Sequence, residues 1–321
     1  QMMEKNYDIT VEEITELPKT STCRRYKVLA KEGTFFLKNQ FKARNLVFEE
    51  LLAQIDIVEH LKRKGMPVIV PFKNRKGSRI TQYHEEFYLL YDFVELDPED
   101  TYTENNFEIA AKTLAQFHKV GKSFRKKRPF HIKPFQQQID DITCFTEVPP
   151  NFRSRPVLEL AIKNKNTAFG KRVIKDAPMI KTVIIKALNV LWTTKFKDKN
   201  LLHYDWNKSN LFFAGGELRA VSDFEYSHIG YVELDIAKAA KYWAGNDDGS
   251  IDIIKFKRFI NLYAQERKCS LDWELYRIMV LYIALRRLLY AADYTFNGRA
   301  DLEFLYNQDI AMVKFCLEHQ F

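Results

Sequence analysis

The sequence predicts an α+β chain in two parts, a small N-terminal sheet with one helix and a larger, mainly helical C-terminal part. Three observations carry this. Strand-length runs crowd the first 97 or so residues, the apolar period becomes helical from Asn105, and strand character returns only briefly around Gly215-Gly216. At 321 residues the chain is long enough to bury a substantial core in two lobes, with the division expected between residues 1–97 and 98–321.

In chain order, residues 26–38 (YKVLAKEGTFFLK) read as two strands around a Lys31-Glu32-Gly33 turn. Residues 48–64 lack Gly and Pro, are rich in Leu, Ile, Glu and Lys, and end at Gly65, a natural helix stop. Residues 68–71 and 87–94 read as further strands, the last ending at Glu95-Leu96-Asp97-Pro98. Phe107, Ala110, Ala111, Leu114 and Phe117 then fall on one helical face. A polar, Pro-containing stretch at 126–150 and a strand pair, Leu211-Phe212-Phe213 and Arg219-Ala220-Val221, interrupt the helical remainder.

Composition narrows the classes. With 46% hydrophobic and 29% charged residues the chain is an ordinary soluble one. The net charge of +8 is thinly spread over runs such as Lys62-Arg63-Lys64 and Arg125-Lys126-Lys127-Arg128, with no zinc-finger or RNA-binding spacing, so nucleic acid is not an expected partner. Cys23, Cys144, Cys269 and Cys316 are far apart and form no CxxC pair, which argues against a zinc site or a disulfide framework. The most apolar C-terminal stretch, 278–292, is broken by Arg286-Arg287, and the first residues show no basic-then-apolar signal segment; a cytoplasmic protein without a membrane partner is expected.

The stretch 201–225, LLHYDWNKSNLFFAGGELRAVSDFE, carries the chemistry. It holds His203-x-Asp205-x4-Asn210, a hairpin, and Asp223-Phe224-Glu225. Phosphoryl transfer asks for a carboxylate to orient the attacking hydroxyl and for magnesium to neutralise phosphate oxygens. Asp205 suits the first task as catalytic base. Asn210 and Asp223 offer the hard oxygen ligands that magnesium prefers, with Glu225 as a further oxygen. A lone Asp or Asn in a turn is usually a local hydrogen-bonding device; the joint order and spacing of the three favour a site. His203 reads as a structural brace for the loop.

H-x-D-x4-N followed by a hairpin and D-F-E resembles the aminoglycoside phosphotransferase and choline kinase family, which has a protein-kinase-like fold. Glu233-Leu234-Asp235-Ile236-Ala237 resembles the family's acidic segment, where Asp235 would be a structural anchor, and residues 110–118 resemble its helix after the hinge. The resemblance covers roughly residues 20–245. It implies that ATP is the phosphate donor and Mg2+ the metal, that Lys38 contacts the α- and β-phosphates, that Ser21 and Thr22 stand in for the missing glycines of the phosphate turn, and that adenine lies beside the hinge strand at Tyr91 and Phe93. The expected glutamate partner of Lys38 falls near Gln54, with Glu49 and Glu50 one turn earlier. Tyr204 takes the place of the family's small residue between His and Asp. A small-molecule acceptor among the C-terminal helices is implied. The competing expectation is a catalytically weak or inactive kinase-like binding or structural protein, since residues 65–94 also resemble kinase-like proteins of bacterial spore coats.

Overall fold

The computed structural model describes residues 2–18, 23–40, 47–98, 102–128, 135–146 and 156–321. They form two compact units: one from Gln1–Ala110, Lys119–His131 and Lys208–His228, the other from Ala111–His118, Ile132–Asn207 and Ile229–Phe321. The loop motif is therefore shared out, with Asp205 in the second unit and Asn210 and Asp223 in the first.

The first unit is built on an antiparallel sheet in the order β1-β2-β3-β5-β4, from β1 (Val11–Leu17), β2 (Cys23–Ala30), β3 (Gly33–Gln40), β4 (Thr81–Tyr83) and β5 (Glu86–Asp92). The β2–β3 hairpin closes through Ala30 opposite Gly33, whose φ of 144° lies where glycine is favoured. Period-two alternation divides the sheet's side chains. Val28, Phe35, Leu37 and Leu90 pack on one face with Met3 of α1 (Met2–Tyr7), a short helix additional to the one expected. Phe87 and Leu89 pack on the other with Leu51 of α2 (Val47–Arg63). Lys38 stands opposite Leu89 and so shares the α2 face. Gly65, φ 80°, follows α2 as its stop.

Two differences from the sequence reading have local causes. β1 escapes a hydrophobic-pattern search because Glu12, Glu13 and Glu16 leave it mostly exposed, as suits an edge strand. Residues 68–71 do not form a strand: Val68 alone makes a bridge, to Val221, between Pro67 and Pro71, which have no N–H to donate.

The second unit is helical. α6 (Ala168–Thr193) packs on α5 (Val157–Lys163) and on α9 (Trp273–Phe296); α7 (Val232–Ala244) packs on α8 (Ile253–Arg267) and α9; α10 (Glu303–Glu318) lies along α9. Asp252 and Asp272 cap α8 and α9 through their carboxylates. α3 (Glu104–Gly121) follows the predicted periodicity, with Phe107, Ala110, Leu114 and Phe117 all buried. The 126–150 stretch contains, among its described residues, α4 (Phe135–Ile139) and a 3-10 turn at Asp140–Phe145. A short pair, β6 (Lys199–Leu202) and β9 (His228–Tyr231), delivers the chain to His203. Among the described residues no helix is long and apolar enough to cross a membrane.

Candidate functional site

In the second unit, the loop after β6 is fixed by a buried carboxylate. Asp235, one turn into α7 and fully buried, accepts the backbone N–H of His203 at 2.8 Å and of Tyr204 at 2.9 Å. His118 of α3 donates to the same carboxylate from Nε2 at 3.1 Å, and the Tyr263 hydroxyl lies 2.7 Å from His118 Nδ1. Burial would raise the Asp235 pKa, but the His118 hydrogen bond and the charge nearby hold it below the usual carboxylate range. His203 in turn accepts the Asp205 N–H at Nδ1, 3.2 Å away. His203 and Asp235 thus act as the brace and the anchor expected of them.

Tyr204 is held in the left-handed region, φ 64°, which is strained for a bulky residue. Every part of it is gripped. Its N–H is bound by Asp235, its carbonyl accepts from Lys238 Nζ at 2.5 Å, its ring lies 3.9 Å beneath that ammonium, and its hydroxyl accepts from Arg286 at 3.1 Å. Trp206, fully buried, accepts at its carbonyl from Trp243 Nε1 at 3.2 Å. Asp205 stands between two pinned aromatics, its carboxylate 3.9 Å from Lys238 Nζ and hydrogen-bonded by the Tyr242 hydroxyl. Burial depresses Lys238 to about 8, against the opposing pull of Asp205. Burial and the Asp205 carboxylate together push the Tyr242 hydroxyl up.

In the first unit, β7 (Leu211–Ala214) and β8 (Glu217–Val221) form a hairpin whose two-residue loop, Gly215-Gly216, has φ of 61° and 75°. That is the signature of the tight turn that demands positive φ twice. Asp97 accepts both glycine N–H groups, at 3.1 and 3.0 Å, and the Val221 N–H donates to Pro67 at 2.7 Å. Asn210 is buried before β7, and its carbonyl accepts the Ser222 N–H at 2.9 Å. Asp223 follows in the left-handed region, φ 57°, with Phe224 buried behind it. Its Oδ1 lies 3.6 Å from Lys38 Nζ and accepts no hydrogen bond. Burial would lower the Lys38 pKa, but Asp223 and other negative neighbours keep it above the ordinary lysine value.

The partner of Lys38 is therefore Asp223 rather than a residue of α2. Glu49 pairs with Arg128 at 3.2 Å, while Glu50 and Gln54 line a small cavity with Phe224 and Glu225. Tyr91 lies near Lys38, its ring 6.1 Å from Phe36, and burial raises its hydroxyl to about 12. Phe93 sits just past β5, its N–H bound to Thr34 at 3.1 Å and its ring 4.6 Å beneath Lys27 Nζ. Ser21 and Thr22 lie outside the described residues.

For a divalent metal, the donor chemistry in the first unit fits. The Asp223 Oδ1 is buried and accepts no hydrogen bond, and Asn210 supplies an amide oxygen on the same hairpin. This is a hard oxygen pair of the kind magnesium uses when phosphate and water complete its shell. Among the described residues no group of three or more His, Cys, Asp or Glu could hold a metal.

Lys238, Tyr242 and Arg286 escaped the sequence reading. The signal was nonetheless present, since Lys238 follows Asp235 by one helical turn and must point the same way along α7.

A sheet unit carrying a Lys–Asp pair and a helical unit carrying a braced His-x-Asp loop make up a protein-kinase-like fold. A spectinomycin phosphotransferase, solved with ADP and spectinomycin, matches at a TM-score of 0.68 and 12% identity over 99% of this chain and 97% of its own. An amicoumacin kinase matches at 0.67 and 14% identity, covering 97% and 90%. The chain belongs to the phosphotransferase enzyme family, whose model matches residues 13–269. Homoserine kinases are among its curated relatives. That of Parvibaculum lavamentivorans is 22% identical over 238 residues, 73% of this chain, and that of Methylobacillus glycogenes is 23% identical over 219, 67% of this chain. The chain spans 65% and 59% of the lengths of these two relatives.

Proposed function

We propose that the protein transfers the γ-phosphoryl group of ATP to a hydroxyl of a small-molecule acceptor in the cytoplasm, with residues 1–97 as the nucleotide lobe and 98–321 as the acceptor lobe. One observation carries the reading: left-handed backbone that no glycine relieves occurs at Asp223 itself and at Tyr204, the residue immediately before Asp205. Strain of this kind, about 1–3 kcal/mol per residue, persists where the surroundings over-determine a functional geometry. A binding scaffold has no need of it at Asp223 and beside Asp205.

Asp205 takes the proton of the acceptor hydroxyl as that oxygen forms its bond to the γ-phosphorus. The bond from this phosphorus to the β–γ bridging oxygen breaks, and ADP leaves with the electron pair. Tyr242 and Lys238, both beside the carboxylate, orient Asp205. Asn210 and Asp223 would hold Mg2+, which supplies neutralisation of charge on the phosphate oxygens. Lys38 faces the α- and β-phosphates, Ser21 and Thr22 line the phosphate turn, and Tyr91 and Phe93 flank adenine. Homology to homoserine kinases supports an acceptor of amino-acid size.

The test is magnesium-dependent ATP turnover against hydroxy amino acids, amino alcohols, sugars and aminoglycosides, with Asp205→Asn as control. Acceptor-dependent ADP release that vanishes in the control is expected. Absence of nucleotide binding under every condition would leave the scaffold reading in place.

A further inference from the structure

Lys241, one turn after Lys238 on α7, is only 6% exposed, yet no hydrogen bond or ion pair joins it to any described residue. The nearest carboxylate is spoken for: Arg287 donates to both oxygens of Asp309, at 2.6 and 2.8 Å. With no acceptor among the described residues, the donors of this ammonium are open to water or to an anionic group from outside the chain. Burial accordingly depresses Lys241 to about 8.

The surroundings connect this lysine to Asp205. The Tyr242 ring lies 5.7 Å from Lys241 Nζ and 5.6 Å from Lys238 Nζ, and the Tyr242 hydroxyl is hydrogen-bonded to Asp205. Two ammoniums thus flank one aromatic ring whose far end touches the Asp205 carboxylate. Lys241 Nζ is at most about 11 Å from that carboxylate, and a hydrogen bond at each end leaves at most roughly 5 Å between an acceptor's hydroxyl and its anionic group.

We propose that the acceptor is a small hydroxy compound bearing an anionic group, and that Lys241 binds that group while Asp205 meets the hydroxyl. This rests on the phosphotransferase reading and narrows it. A span of at most roughly 5 Å suits a hydroxy acid of no more than about four carbons, and the Lys241 ammonium repels a polycationic aminoglycoside at this position. A carboxylate and a phosphate monoester both offer negative charge to this point cation.

The experiment is calorimetric binding to the full chain, with and without ADP. The probes are homoserine and 4-hydroxybutanoate, the primary amide of each, and glycerol 3-phosphate. At least tenfold tighter binding of an acid than of its amide is expected, falling below threefold in Lys241→Met and Lys241→Gln. Preference for glycerol 3-phosphate over both acids, lost in the same variants, assigns the anion as a phosphate ester. Equal binding of acids and amides without such a preference, no binding by any anionic probe, or discrimination that survives both substitutions overturns the proposal. Replacing a buried cation with Met or Gln should leave the fold intact, which melting temperatures verify. Acid–amide discrimination without phosphoryl transfer to any probe would sink the kinase reading alone. Phosphorylation of amides as readily as acids would sink this inference alone.

Discussion

The two acidic positions are held in opposite ways. Asp205 is presented by an over-determined loop: Asp235 binds two consecutive backbone N–H groups, His203 receives the Asp205 N–H, and Lys238 and Arg286 clamp Tyr204. Asp223 is held by its backbone conformation and by one pairing, with Lys38, at 3.6 Å, its side chain 34% exposed. In the role proposed for Asp205, a base must meet one proton in one geometry, and rigidity would serve it. In the role proposed for Asp223, a metal ligand must accept whatever shell the phosphates and waters complete, and a loosely paired carboxylate would allow that.

The contrast breaks most visibly under substitution of the two acids. Asp205→Asn is expected to lower kcat by about 10²–10⁴, the usual worth of a general base, with ATP affinity within a few-fold of the parent. Asp223→Asn should cost on the order of 100-fold in activity and shift the magnesium requirement upward, because a neutral amide holds a hard cation poorly. It should fold well, since Asn tolerates the left-handed region, whereas Asp223→Ala should also lose roughly 1–2 kcal/mol of stability. Equal magnesium titrations for the parent and Asp223→Asn would remove Asp223 from the metal site.

Asp235→Asn tests whether the brace is structural. Removing one member of a buried charged network typically costs about 3–5 kcal/mol, so a fall in melting temperature should accompany any loss of activity. Loss of kcat with an unchanged melting temperature would instead mean that Asp235 acts on the chemistry.

How much of this was legible in the sequence follows from which interactions are local. The hairpin at 26–38, α2 with its Gly65 stop, the α3 face and the Gly215-Gly216 turn are set by short-range pattern and turn chemistry, and each was read from it. The order Asp205, Asn210, Asp223 was readable because spacing along one hairpin brings the last two into one unit. The pairing of Lys38 with Asp223 was not readable, because the two residues are 185 positions apart and only the β3 register and the hairpin's docking beside Val68 bring them together. Lys241 was invisible for a similar reason. A lysine on an amphipathic helix is ordinarily solvated, and only the packing of α9 and α10 against its surroundings buries it.

The smallest effect tests that burial directly. Lys241 is faced by Arg287 of α9, by Asp309 and Cys316 of α10, and by Lys238 of its own helix. Its folded pKa, about 8, lies below the unfolded value of 10.5, so between these limits the unfolded chain binds more protons than the folded one. Stability from this group is therefore fully present above pH 10.5 and lost as pH falls through 8. Lys241→Met removes that dependence. It should melt a few degrees above the parent at pH 7, with about 2–4 °C for each kcal/mol regained, and the gap should close as pH approaches 10. Because the other titrating groups are common to both proteins, the difference between the two melting curves isolates this lysine. A gap that stays constant with pH would trace the gain to packing, and a Lys241→Met protein less stable at pH 7 would show the ammonium already satisfied.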